Sequence, residues 1–111
     1  MSPDTELERY TFVLLRRPEN APELLDAELD ALQEGHLAHL ADLRADGVLV
    51  AAGPFTDQAD ESWRGFCLYR TGLEETRVLA EADPSVRAGR LVVDVMTWWT
   101  PPGAIVTPPG G

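Results

Sequence analysis

The sequence contains no lysine, and its nine basic residues are all arginine. The absence of lysine excludes Schiff-base chemistry and the lysine-containing loop that binds phosphates in many nucleotide-binding proteins. Nineteen acidic residues give a formal net charge of −10. That charge argues against a nucleic-acid partner, because nucleic-acid binding depends on clustered positive charge. Any chemistry must therefore come from His, Asp, Glu, Tyr, Arg or the single cysteine, Cys67.

Long apolar runs and a cysteine pair are also missing. No apolar stretch approaches the ~18 residues that a membrane span needs, and the first residues lack the pattern of a secretion signal. One cysteine cannot form an internal disulfide, which fits a reducing compartment. We therefore expect a cytoplasmic protein with no membrane partner. At 111 residues and 44% hydrophobic, the chain suits one compact domain.

Hydrophobic periodicity predicts strands at residues 10–16, 63–70 and 90–99. The wholly apolar run at residues 48–52, bounded by glycines, predicts a fourth strand that is buried. A long helix is predicted after Pro22, ending at Gly47, and a second at residues 71–82, opened by the capping-box pattern that begins at Thr71. Asp83-Pro84 then resembles the start of a short helix that a glycine ends. Residues 1–9 are predicted to be a flexible lead-in, residues 10–100 the domain, and residues 101–111 a tail rich in proline and glycine.

The order strand, helix, strand, strand, helix, strand is typical of a ferredoxin-like α+β fold. It predicts a four-stranded antiparallel sheet with both helices on one face. The first and last strands are apolar on both faces, so the second face also needs to be covered. We expect a homodimer joined through its sheets. The alternatives are a monomer with a mildly apolar sheet face and a face covered by the C-terminal tail.

The long helix carries the first candidate site residue. Its apolar stripe includes His36, and Gly35 inside the helix is expected to mark a kink or a break. An imidazole there suits proton transfer, although a packed histidine would give the same pattern. His39 lies one turn further on, but no third ligand stands at a recognised spacing, so we expect no metal and no cofactor. The stripe consists of Leu25, Leu29, Leu32, His36, Leu40 and Leu43.

Carboxylates and a turn signal supply the other candidates. Asp83 is sufficiently explained as a helix cap, although capping and catalysis do not exclude each other. Asp94 interrupts an apolar strand, so its carboxylate lies either in solvent at the sheet edge or in a polar cavity. Gly53-Pro54 is a common turn sequence. Cys67 is expected to be ordinary core filling.

Several of these residues together resemble the YciI-like family. The resemblance rests on Gly35-His36-Leu37-Ala38-His39-Leu40, on Ala52-Gly53-Pro54, on Ala82-Asp83-Pro84 and on a closing strand that ends in Trp98-Trp99. It implies a ferredoxin-like dimer of the dimeric α/β barrel type, related in fold to muconolactone isomerases. It also implies an active-site pair that carries over to His36 and Asp83. Ser85 departs from the family pattern, in which an aromatic residue commonly follows Asp-Pro.

Two functional hypotheses follow from this resemblance and from the residues. In the first, the protein is a cofactor-free enzyme with lyase- or isomerase-like chemistry on a lactone or carbonyl compound. His36 would transfer the proton and Asp83 would orient the imidazole, with substrate contacts from Gly53, Pro54, Asp94 and Trp98. In the second, the protein is a non-catalytic dimeric module that binds a small molecule or a partner protein.

Overall fold

The computed structural model describes residues 6–106, so part of the predicted lead-in and of the tail lies outside the described residues. Four strands form one sheet in the order β2-β3-β1-β4, and neighbouring strands are antiparallel. The predicted ferredoxin-like arrangement is confirmed, with one additional short helix. In chain order the elements are β1 (Glu8–Arg16), α1 (Asp26–Ala45), β2 (Leu49–Pro54), β3 (Trp63–Tyr69), α2 (Leu73–Glu81), α3 (Pro84–Arg87) and β4 (Val92–Thr100).

The hydrophobic core lies between the helices and one face of the sheet. Alternation along the central strands β1 and β3 directs every second side chain toward the helices, as the sequence pattern predicts. Gly47 and Gly89, which follow α1 and α3, adopt positive φ angles of 80° and 79°, a conformation that glycine allows at helix ends. The buried core residues are Val13, Leu15, Leu43, Leu49, Cys67, Tyr69, Ala80 and Leu91. No helix among residues 6–106 is both long enough and apolar enough to span a membrane.

Helix α1 differs from the prediction at two positions. It is continuous through Gly35, so the predicted kink is wrong. The glycine instead allows close packing, because a Cβ atom there would lie 3.1 Å from the Cγ of Pro84 in α3. Leu25 precedes the first helical turn and is 73% exposed, so it does not belong to the buried stripe.

Three further local predictions are wrong. Helix α2 starts after Gly72 without a side-chain cap, because the Thr71 hydroxyl shares a hydrogen bond of 2.7 Å with the Thr76 hydroxyl. The apolar run at residues 48–52 is not a fully buried strand, because β2 lies at the edge of the sheet and only Leu49 in it is buried. Gly53-Pro54 is not a turn but the end of β2, an edge position that tolerates proline.

Within residues 6–106, no helix covers the other face of the sheet. Its residues come from the alternate positions of β1, β3 and β4, and several are aromatic. The rings of Phe12 and Phe66 stack with centroids 5.0 Å apart. Met96 and Trp98 are 42% and 39% exposed. We call this surface the open sheet face; it consists of Tyr10, Phe12, Leu14, Arg16, Phe66, Leu68, Asp94, Met96 and Trp98.

A β-bulge interrupts the pairing of β1 with β3. Leu15 pairs with Gly65 and Arg16 with Trp63, which leaves Arg64 without a partner in β1. Beside the bulge, Gly65 allows β2 to approach closely. A Cβ atom at Gly65 would collide with the carbonyl oxygen of Gly53 and lie 3.0 Å from the Cα of Pro54.

Replacing Gly65 by alanine is expected to destabilise the fold. The added methyl group meets backbone atoms that cannot rotate away, so we expect the free energy of unfolding to fall by about 1–3 kcal/mol. The matched control is Gly53→Ala in β2, where a Cβ atom would have no neighbour within 4 Å. Urea unfolding of both variants measures the difference, and equal stability of the two would contradict this explanation of Gly65.

Candidate active site

The structure brings His36 and Asp83 together. His36 lies on α1, and Asp83 precedes the first residue of α3. The His36 Nδ1 and Asp83 Oδ2 atoms are 2.5 Å apart, and the two side chains are only 14% and 4% exposed. Gly35 makes this approach possible, because its missing side chain lets α1 pack directly against Pro84.

Asp83 has two structural roles at once. Its Oδ1 atom accepts a hydrogen bond of 2.8 Å from the Ser85 backbone N–H and so caps α3, as the sequence predicts. Its Oδ2 atom remains for His36. Because the cap fixes the carboxylate, Asp83 can orient the imidazole with little freedom of its own.

The carboxylate determines which histidine nitrogen is available. A carboxylate accepts hydrogen bonds, so the neutral His36 ring that pairs with it carries its proton on Nδ1. Nε2 then has a free lone pair, and it forms no hydrogen bond with any residue from 6 to 106. His36 also lines a cavity, so this nitrogen is placed to act as a base toward a bound molecule.

The cavity lies between α1 and the part of the sheet where β2 and β3 pair. Its volume is about 600 Å³, a size that suits a small-molecule ligand. Leucines of α1 and the core residues Leu15 and Leu91 give it apolar walls. Gly53 and Pro54, which were predicted to contact substrate, line the cavity at the end of β2.

The other two predicted substrate contacts lie elsewhere. Asp94 and Trp98 are on the open sheet face, on the opposite side of the sheet from the core, and do not line the cavity. Asp94 receives hydrogen bonds of 2.5 and 3.1 Å from the guanidinium of Arg16. The hydrogen bonds from Arg16 lower the pKa of the Asp94 carboxyl, so this pair is ionised at neutral pH. Asp94 and Trp98 therefore do not lie beside His36.

His39 does not line the cavity and bonds instead to α2. Its Nε2 atom lies 2.8 Å from the backbone oxygen of Leu79, near the end of α2. The bond joins α1 to α2 and occupies a carbonyl that a helix end leaves without a helical partner. In the described part of the chain, no three His, Cys, Asp or Glu residues are grouped so as to hold a metal ion.

Three arginines at the cavity were not predicted. Arg17, Arg64 and Arg90 all line it, although 26 or more positions separate each from the next in sequence. No short motif joins them, and strict alternation along β3 would direct Arg64 to the same side as Phe66. The bulge is a feature of the strand pairing, so only the structure could reveal this grouping.

Cys67 lines the cavity but is not a nucleophile at neutral pH. Burial raises the pKa of its thiol to about 12, because the thiolate is poorly solvated there. The thiolate fraction near pH 8 is then only ~10⁻⁴. This agrees with the prediction that Cys67 fills the core.

We expect the folded protein to resist the thiol reagent DTNB near pH 8, because the reagent needs an accessible thiolate. After unfolding in urea, one thiol per chain should react, since the sequence contains a single cysteine. The absorbance of the released thionitrobenzoate measures both rates. Reaction of the folded protein at the unfolded rate would contradict the buried thiol.

Comparison with known proteins agrees with the fold and with the resemblance in sequence. The chain is similar in structure to the 5-chloro-2-hydroxyhydroquinone dehydrochlorinase TftG of Burkholderia phenoliruptrix AC1100, solved in complex with 2,5-dihydroxybenzoquinone. The two chains are 22% identical with a TM-score of 0.58, and the match covers 80% of this chain and 92% of that chain. No curated protein sequence matches. A family model matches residues 10–99, and the chain therefore belongs to the YCII-related domain family.

Proposed function

We propose that this protein is a small-molecule enzyme that transfers a proton at a carbon next to a carbonyl or lactone group, with His36 as the base. The observation that carries the proposal is the hydrogen bond between His36 Nδ1 and Asp83 Oδ2 at the wall of a cavity. It leaves Nε2 free for the substrate and places a carboxylate where the imidazolium will form. No cofactor takes part in the proposed reaction.

The reaction can be written from the groups at the site. Nε2 of His36 removes a proton from the carbon beside the carbonyl, and the electron pair of that C–H bond forms an enolate. Asp83 stabilises the resulting imidazolium. In an isomerase the enolate is conjugated with a C=C bond, and the imidazolium returns the proton to the far carbon of that system, so the double bond shifts. In a lyase the enolate electrons expel a leaving group from the adjacent carbon.

The structural neighbour supports the lyase branch. That protein is a dehydrochlorinase, an enzyme that eliminates hydrogen chloride, and its complex holds a quinone. Elimination needs a base at the C–H bond, the role we assign to His36. The rival hypothesis of a non-catalytic module has less support, since His36 lies beside a cavity instead of a filled core.

We also propose that two copies of the chain pair through the open sheet face. Most of this face is apolar, and Met96 and Trp98 remain substantially exposed on it. The Arg16–Asp94 ion pair on this face neutralises its own charge, so two copies can approach despite the net charge of −10. A two-fold axis would bury the same surface on both copies.

The enzymatic proposal can be tested without knowing the natural substrate. In D₂O, NMR follows exchange of hydrogens next to the carbonyl in a panel of lactones and cyclic ketones, including chlorinated muconolactones. We expect the wild-type protein to accelerate exchange in at least one member and His36→Gln to reduce that rate by about 10²–10⁴-fold. Asp83→Asn should also reduce it while preserving the cap on α3, because asparagine caps helices well.

His39→Gln is the matched control, since it removes the other imidazole of α1, which bonds to α2 and not to the cavity. It should keep the wild-type exchange rate. Equal loss in the His36 and His39 variants would contradict the assigned base. A wild-type rate equal to that of buffer across the whole panel would favour the binding module.

The dimer is tested by light scattering. The wild-type protein should have about twice the 12.2 kDa chain mass at micromolar concentration. Met96→Glu places a charge on the open sheet face and should shift the mass toward one chain, because burying an unpaired carboxylate is costly. Val78→Glu on α2, where the valine is 70% exposed, is the control and should remain dimeric. A monodisperse wild-type monomer would disprove the proposal.

A further inference from the structure

Three arginine side chains surround the cavity that His36 lines. Arg17 directly follows β1, Arg64 occupies the bulge in β3, and Arg90 lies between α3 and β4. The cavity therefore collects a third of the chain's nine arginines, although the protein carries a net charge of −10. Asp30 is the one acidic residue among those that line it. Positive charge is thus concentrated at a small-molecule cavity.

Carboxylates of the protein do not neutralise these charges. Within residues 6–106, none of the three arginines forms an ion pair with an acidic side chain. Arg90 Nη1 donates to the backbone oxygen of Pro22 at 2.9 Å, and Arg64 Nη1 donates to that of Glu61 at 3.2 Å. Neither bond cancels the charge of its guanidinium group. The cluster remains available to an anion.

Arg17 is the most unusual of the three. Its Nε atom is buried and has no hydrogen-bond partner in the described part of the chain. Burial and the nearby charges of Arg90 and Arg64 lower the pKa of its guanidinium. A buried donor without an acceptor is rare, because an unsatisfied polar group costs free energy. The Arg17 Nε–H is therefore a donor for which residues 6–106 supply no acceptor.

We infer that Arg17, Arg64 and Arg90 form a subsite for a carboxylate group of the substrate, and that this subsite holds the reacting carbon near His36. The inference rests on the proposed function, since it concerns the substrate of the same cavity. A carboxylate is the anion of choice because its two oxygens match the fork of a guanidinium group. The substrate class is then a small organic acid that contains a lactone or ketone.

The subsite also suits the chemistry. Removal of a proton beside a carbonyl creates negative charge on the enolate oxygen, within a cavity already lined by fixed positive charge. Preorganised charges of this kind stabilise a developing anion more effectively than water does. Anchoring the carboxylate also restricts which C–H bond can reach Nε2 of His36.

The test uses benzoate as the probe and benzamide as its neutral counterpart of similar shape. NMR of ¹⁵N-labelled protein observes the Nε–H groups of the nine arginines, with no lysine signals to complicate the side-chain spectrum. Benzoate should shift the Arg17 Nε–H signal downfield, because that donor gains a charged acceptor. Benzamide should bind at least about tenfold more weakly. Inorganic phosphate is titrated separately.

The decisive variant is Arg17→Gln, with Arg77→Gln on α2 as the control that removes one positive charge far from the cavity. Arg17→Gln should weaken benzoate binding at least about tenfold without lowering the melting temperature, because the wild-type residue has an unsatisfied donor. Arg77→Gln should bind as the wild-type protein does. Asp30→Asn should bind benzoate at least as tightly, since it removes a repelling carboxylate from the cavity.

Several results would overturn the inference. The first is that benzoate does not bind at millimolar concentration, and the second is that benzoate and benzamide bind equally well. The third is that the Arg17 and Arg77 variants lose the same amount of benzoate affinity. Tighter binding of phosphate than of benzoate would reassign the cluster to phosphate compounds. His36→Gln separates this inference from the proposed function, because it should abolish exchange but preserve benzoate binding. If it abolished both equally, the anion would lie on the imidazole and not on the arginines.

Discussion

The carboxylate of Asp83 is the interaction on which the site depends. One of its oxygens caps α3 through the Ser85 amide, and the other bonds to His36. The bond to His36 requires α1 and α3 to lie against each other, and Gly35 allows that by leaving room for Pro84. The folding of a four-residue helix and the orientation of an imidazole are therefore coupled through one side chain. A shift of either helix relative to the other would disturb the bond to His36.

Much of the fold could be predicted from sequence because the period of apolar residues is a local property. Alternation identified three strands and an apolar run the fourth, and Gly47, Asp83-Pro84 and Gly89 marked helix ends through their own backbone preferences. The errors arose where a distant residue determines the local structure. Gly35 looked like a helix breaker because its neighbour Pro84 is nearly fifty positions away in sequence. The apolar β2 looked buried because its edge position depends on the order of the strands.

The candidate site was predictable only in part, for the same reason. His36, Asp83, Gly53 and Pro54 belong to short motifs, and the structure places all four at or beside the cavity. The arginine cluster depends on a bulge and on the meeting of three separate segments, which no spacing along the chain encodes. Asp94 was recognised as unusual in an apolar strand, but its partner Arg16 lies on a neighbouring strand 78 positions away. The sequence showed that Asp94 needed a partner or solvent, but it did not identify Arg16 as that partner.

Proline at the end of β2 has a consequence for how the protein avoids fibrous association. The Phe55 amide donates inward to Arg64, so the backbone nitrogen of the preceding Pro54 points away from the sheet. That nitrogen carries no hydrogen, which removes one donor from the row that an incoming strand would use. Sheet extension in the manner of amyloid is therefore disfavoured at this edge.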